Sequence, residues 1–463
     1  MLNTKVSFVT KLYIWSLIFE SLLYFVLGSQ QNTGINTSFG RILQTITILL
    51  LSGYFISRIE FKLPNPLTGH FKMFTYLFLF SILSAIFGIL TEGYTFRYVG
   101  NYNAGFATSA IAKFLRSAFV RPILEYVIYF FYITYFVVMP FYMIKTEKAL
   151  FYFFKMFRRM FMIGLVIGLL DLLTSLAGFQ FLARDMMDVV YVGFRFHGFA
   201  GEPRDAFVYL FYSYCVFNIE SIYKTDQLLS KKYSLGIIGL MLLTQSASGL
   251  LGVLIGGILI LGMVFSKVSI KQLIYGFLMA ILVISFVVVG VLSSERIMSY
   301  IEVISLVYEA LEEELPPPLV FVGQMNNIYP IWDMYVKAKN FNIFPLLVGS
   351  GFGSASVANN NWGYFLWSEL MNPHSQIVRI LYETGIIGLG LYIVTIFKQA
   401  KIHTIGLSDS KRKFFMYTML LLIGMSLAHR STTIFIYTGI LIMTMTMYRK
   451  KIALLANQNL KEN

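Results

Sequence analysis

From Leu235 to Phe265 the chain runs without a single charged side chain. A stretch of that length and apolarity has no polar face to turn to water, so it belongs inside protein or inside a bilayer. It is not alone. With a window of about 20 apolar residues per crossing, comparable runs lie at residues 11–28, 39–57, 73–91, 121–143, 158–178 and 205–223, and then at 272–292, 376–397, 413–428 and 431–448. The chain is 57% hydrophobic and 13% charged, against about 25% charged in soluble domains. The expectation is an all-α, polytopic membrane protein, with residues 1–463 forming one integral membrane domain.

The opening run is long for one crossing and short for two. Charge parity decides. If it holds two short helices, 234–247 and 248–266, meeting at Thr244-Gln245-Ser246-Ala247-Ser248-Gly249, then Lys398, Lys401, Lys411, Arg412 and Lys413 fall on the side the positive-inside rule demands. A single helix would turn them outward. The reading is therefore about twelve transmembrane helices with both termini on the inner side. Inner segments then hold 24 of the 37 lysines and arginines and outer segments 13, although the outer ones include the two longest loops. Lys5 and Lys11 precede Leu12 to Leu27 with no small-residue cleavage signal, so the first helix is expected to be uncleaved. The charged residues inside spans, Glu20, Glu125, Asp171 and Glu220, show no obvious pairing. No internal repeat is evident.

The net charge of +14 forms no continuous stripe and no nucleic-acid motif, so it reads as topology and not as affinity for nucleic acid. The one cysteine, Cys215, excludes an intramolecular disulfide and a cysteine-based metal cluster. Of five histidines, His70 and His403 fall inside, leaving His197, His374 and His429 outside without metal-ligand spacing. No metal and no cofactor is expected.

The kind of cation differs between the two sides. Inner segments carry 19 Lys and 5 Arg, and outer ones 3 Lys and 10 Arg. Lysine suffices for orientation. The planar fork of arginine is what bidentate phosphate recognition requires, so the outer face points to a phosphate-bearing ligand. The competing reading pairs these arginines with outer carboxylates such as Glu202 and Glu383. Gly193 to Ala206, GFRFHGFAGEPRDA, sets Arg195, His197, Glu202 and Arg204 in a glycine-punctuated loop, with Pro203 placed to start a helix. His429-Arg430 lies at the outer boundary of the membrane, where an ionisable pair is a functional suspect.

The large outer loop, residues 293–375, opens with an amphipathic segment, Arg296 to Leu315, ended by Pro316-Pro317-Pro318. A second helix is expected from Met325 to Lys339. Gly349-Ser350-Gly351-Phe352-Gly353 then turns the chain back to the membrane, without the βαβ context of a dinucleotide site. Next come His374 and an apolar run, Ile377 to Phe397, long enough to cross a bilayer. Arg379 can pair with Glu383 one turn on.

The segment His374-Ser375, nine residues, Gly385, two residues, Gly388 satisfies the pattern H-[NSQ]-x9-G-x-x-[GTY]. Together with the glycine turn, the large loop and twelve spans, it resembles the bacterial O-antigen polymerase and O-antigen ligase superfamily of GT-C-like membrane glycosyltransferases. The sharp motif covers about 40 residues. One departure stands out, since the turn at Thr244 to Gly249 lacks the arginine that members often carry there. The resemblance implies an inner-membrane enzyme of lipopolysaccharide biosynthesis with a periplasmic active site. It would move a glycan from undecaprenyl pyrophosphate to an acceptor hydroxyl, with inversion and without metal. His374 would be the base. Arg195, Arg204, Arg379 and Arg430 would contact the pyrophosphate, with Arg97, Arg116 and Arg296 behind them, and His197, Glu202, His429 and Glu383 in secondary roles.

A polymerase would take another lipid-linked repeat unit as acceptor, with membrane lipids, a chain-length-determining co-polymerase and a flippase as partners. A ligase would take lipid A-core. The composition, rich in Phe, Tyr, Ile and Lys, favours the polymerase. A third reading, a transporter of lipid-linked oligosaccharide, calls for midplane charges in repeated, broken helices.

Overall fold

In a computed structural model of the chain, the residues described are 6–21, 39–58, 75–76, 79–84, 86, 120–177, 195–196, 203–264, 322–339, 343–355, 358, 373, 375–403, 407–425, 439–444, 446–448 and 450–451. They form helices and short connecting turns, with no strand among the described residues. Among the described residues two helices, Ile123–Met143 and Gln376–Val394, are long and apolar enough to cross a membrane. The expected span 272–292 and the amphipathic segment Arg296 to Leu315 lie outside the described residues.

The chain divides into two compact units. The first comprises Met1–Lys72, Tyr129–Leu254 and Val394–Asn463, and the second Met73–Ile128 and Ile255–Ile393.

In the first unit, helix Phe8–Ser21 meets a π-helical segment, Ile133–Val138. A π turn displaces carbonyls from the α pattern and leaves them in need of donors. Tyr13 supplies one, donating its hydroxyl to the Tyr135 carbonyl at 2.6 Å. Gly439 presses on the same segment so closely that a Cβ there would lie 1.8 Å from the Phe136 oxygen. Helix Glu147–Leu176 packs on helix Pro203–Thr225 through aromatic edges, with Phe161 and Phe217 at 4.9 Å and nearly perpendicular. Helix Glu147–Leu176 begins well before the expected residue 158 because its polar first turns have partners. Glu147 accepts from Tyr223, and Arg158 pairs with Glu220, which also binds Lys224 at 2.6 Å. Glu220 is thus paired after all. The far face of this helix, Met162, Val166, Leu169 and Leu173, is exposed and apolar.

The uncharged run breaks where its polar cluster lies. Helix Lys231–Leu243 and helix Ala247–Val264 are joined by Thr244–Ser246, with Gln245 in the left-handed region at φ 50°. At 1.5 Å per residue the first is about 20 Å long, short of a hydrocarbon core of about 30 Å.

In the second unit the loop helix expected from Met325 runs Val322–Lys339, followed by a short helix, Phe344–Val348. The one departure that matters concerns residues 376–397, expected as an unbroken span. Helix Gln376–His403 is interrupted at Gly385, whose φ of 66° and ψ of −173° are not helical. That backbone region is essentially restricted to glycine. The first half is buried on most sides, and past Gly385 the residues Ile386, Ile387 and Leu391 are exposed.

Candidate functional site

The Gly385 break has a cause on another segment of chain. In an unbroken helix the carbonyls of Tyr382 and Glu383 would accept from residues 386 and 387. Here they accept from the N–H groups of Ser350 and Gly351, each at 2.9 Å. The Gly349–Gly353 turn therefore lies along the break like an added strand. Both backbones need glycine to come so close. A Cβ on Gly349, at φ 81°, would lie 2.4 Å from the Glu383 carbonyl carbon, and one on Gly385 would lie 2.2 Å from the Leu347 oxygen. Ser81 and Ser84 fasten the turn from a third segment. Ser81 Oγ accepts the Phe352 N–H at 2.5 Å, and Ser84 Oγ donates to the Val348 carbonyl.

Below this knot sits a buried ion cluster. Arg379 donates from Nη2 to Glu125 Oε2 at 2.5 Å and from Nε to Glu383 Oε1 at 3.1 Å. All three side chains are buried. Glu383 Oε1 also accepts the Gly353 N–H at 2.9 Å, while Oε2 is buried with no hydrogen-bond partner among the described residues. Breaking such a cluster from one side leaves a charge stranded in a medium that solvates it poorly. A second pair ties the loop helix to the same half-helix. Lys337 binds Asp333 at 2.6 Å, and Tyr382 donates its hydroxyl to Asp333 at 2.5 Å.

The start of this half-helix is fixed in turn. Ser375 is buried and its Oγ accepts the Val378 N–H at 3.3 Å, the geometry of an N-cap reaching N3. Two positions of the sequence pattern thereby acquire physical roles, Ser375 as cap and Gly385 as break. Pro373, on the other side of position 374, is also buried.

Arg195 occupies the comparable place in the first unit. Its Nη2 donates to the Gln245 carbonyl at 2.6 Å and its Nε to the Thr244 carbonyl at 3.3 Å, while the Phe196 N–H reaches the Leu243 carbonyl at 2.9 Å. These three carbonyls end helix Lys231–Leu243, and a cation is favoured at that negative pole. The turn that carries no arginine of its own thus receives one from residue 195. Arg204 lies in the first turn of helix Pro203–Thr225. His374, Arg430, Arg97, Arg116, Arg296, His197, Glu202 and His429 lie outside the described residues.

In the sequence Glu125 shows no obvious partner, and Arg379 is both a candidate for the pyrophosphate and placed to pair with Glu383 one turn on. The structure joins the two, with the Arg379 fork engaged by a pair of carboxylates. Two oppositely charged residues in separate apolar runs were the available signal. Among the described residues no three His, Cys, Asp or Glu side chains gather as metal ligands. No family model matches the chain, and no curated protein matches it.

Proposed function

We propose that the chain is a polytopic membrane glycosyltransferase of the O-antigen polymerase type, acting on polyprenyl-pyrophosphate-linked glycans at the outer face of a bacterial inner membrane. The observation that carries this reading is the architecture of the broken helix Gln376–His403. A half-helix held by polar contacts begins at Ser375, directly after His374, and ends at Gly385, where an exposed apolar face begins. A histidine about three helix turns of sequence ahead of an exposed apolar face is the juxtaposition that an acceptor hydroxyl and a lipid-held donor call for. The apolar faces left exposed on helices Phe39–Arg58, Glu147–Leu176 and Ala247–Val264 support a place in a bilayer, since contiguous patches of that kind are rare on soluble monomers.

In the proposed reaction the imidazole of His374 accepts the proton of an acceptor sugar hydroxyl. The hydroxyl oxygen bonds to the anomeric carbon of the donor as the bond from that carbon to the phosphate oxygen breaks, with inversion. The pyrophosphate leaves on its lipid. A hydroxyl needs a base that is neutral near physiological pH, and imidazole is one. Guanidinium groups stabilise the departing charge; Arg195, Arg204 and Arg430 keep that role in the proposal. Arg379 is assigned to the ion cluster instead.

Polysaccharide from a deletion strain tests the reading. A polymerase loss leaves lipid A-core capped by one repeat unit. Bare core with polymer stranded on its lipid carrier would mark a ligase, and repeat units trapped on the cytoplasmic side would mark a transporter.

A further inference from the structure

The large outer loop would be expected to turn polar residues to water, yet its short helix does not. In and just before Phe344–Val348, the residues Ile343, Phe344 and Leu347 are 52%, 47% and 40% exposed, and at spacings of four and three residues Ile343 and Phe344 each neighbour Leu347 on one face. Pro345 is buried on the other side. A surface turn would ordinarily favour Asn, Asp, Ser or Gly at such places.

The position of this face is set by backbone. Leu347 to Gly349 interlocks with Glu383 to Gly385, to the point that a Cβ on Gly385 would fall 2.2 Å from the Leu347 oxygen and 2.5 Å from the Val348 nitrogen. Leu347 is therefore the immediate neighbour of Gly385. The residues that follow Gly385 are Ile386 and Ile387, 51% and 45% exposed, with Leu391 at 40% on the same half-helix. They belong to helix Gln376–Val394, which is long and apolar enough to cross a membrane. Two exposed apolar patches meet at a joint that no side-chain rearrangement can open, and Ser84 holds Val348 in place from a third segment.

We propose that the turn Ile343 to Leu347 is inserted in the bilayer beside the half-helix Ile386 to Leu391, as a foot that pins the outer loop to the lipid surface. The inference rests on the membrane reading above. The hydrocarbon of the bilayer is the occupant because the patch continues the exposed face of a candidate span. Insertion sets the height of the Gly349–Gly353 turn, and with it the start of the half-helix at Ser375, against the lipid headgroups.

The test uses the full chain in phosphatidylethanolamine and phosphatidylglycerol vesicles. Cys215, the one cysteine and a buried one, is replaced in a Cys215→Ser background, and single nitroxide labels are attached through Ile343→Cys, Leu347→Cys, Ile387→Cys, Leu391→Cys and Lys339→Cys. Collision with dissolved oxygen is compared with collision with a water-soluble nickel chelate. Labels at 343 and 347 should match 387 and 391, with oxygen favoured severalfold, and 339 should show the reverse. Nickel access at 343 and 347 equal to that at 339, with 387 and 391 protected, would overturn the foot and leave the membrane reading standing. Nickel access at all five positions would overturn both. Weak collision with both reagents at 343 and 347 would mean that protein covers the patch, which also overturns the proposal.

Discussion

Two apolar runs are broken among the described residues, at Leu243–Ala247 and at Gly385, and they are mended by different means. At Leu243–Ala247 the freed carbonyls are taken by a side chain, the guanidinium of Arg195, with help from the Phe196 N–H. At Gly385 they are taken by the backbone of another segment, the N–H groups of Ser350 and Gly351. A side chain reaches from a distance and leaves room around the break. A backbone run that takes two successive carbonyls must lie along the helix itself, and there both partners carry glycine at the contact, Gly349 and Gly385. The first break is the adaptable one, closed by a cation on its carbonyls; the second is the rigid one, closed by backbone, and its neighbouring cation, Arg379, binds carboxylates instead.

The largest expected effect separates the two glycines that look alike in sequence. Gly385→Ala forces a side chain into a backbone region that costs about 1–3 kcal/mol by itself and into the Leu347 carbonyl besides. Little folded protein should be recovered on size-exclusion chromatography in detergent. At Gly249 the nearest obstacle is a side chain, Phe207, with its Cγ at 2.4 Å, and a side chain can shift about χ1 where a backbone carbonyl cannot. Gly249→Ala should fold, with a loss of about 1–3 kcal/mol typical of overpacking. Equal recovery of the two variants would erase the distinction between a backbone joint and a side-chain joint.

Next in size is the ion cluster under the rigid break. Arg379→Met strands Glu125 and Glu383, at a cost of about 3–5 kcal/mol for one partner removed from a buried pair. Thermal unfolding in detergent should drop sharply, and adding Glu383→Gln should restore part of the loss. A single variant as stable as wild type would show that the cluster does not hold the half-helix.

The smallest change in stability belongs to the adaptable break. Arg195→Lys keeps the charge and gives up one of two hydrogen bonds, about 0.5–1.5 kcal/mol. If Arg195 also meets the pyrophosphate, glycan transfer should fall ten- to a hundredfold while the protein remains folded. Full transfer activity would reduce the residue to a helix cap.

The two breaks were not equally legible. The first announces itself as Thr-Gln-Ser-Ala-Ser-Gly inside an otherwise apolar run, polar residues that compete for backbone and disfavour a continuous helix. Gly385 sits among Ile, Leu, Tyr and Thr, and a lone glycine is common in membrane helices, so the run 376–397 reads as unbroken. What breaks it is the Gly349–Gly353 turn, more than thirty residues earlier, and that contact exists only in space. The pairing of Arg379 with Glu383 followed from their four-residue spacing. The Glu125 contact spans 254 residues and left no local trace. His374, by contrast, was singled out by sequence alone, and its flanks Pro373 and Ser375 are fixed in buried surroundings.

The central claim is that transfer depends on the histidine just ahead of the rigid half-helix. Purified protein in lipid nanodiscs, supplied with a polyprenyl-pyrophosphate-linked repeat unit, reports it directly as the rate of glycan extension. His374→Ala should insert and bind the lipid-linked donor as wild type does, yet extend it about 10²–10⁴-fold more slowly, the usual cost of a lost general base. His197→Ala and His429→Ala should be milder. Extension by His374→Ala at a rate near wild type would contradict the account and move the search for the base to His197 and Glu202.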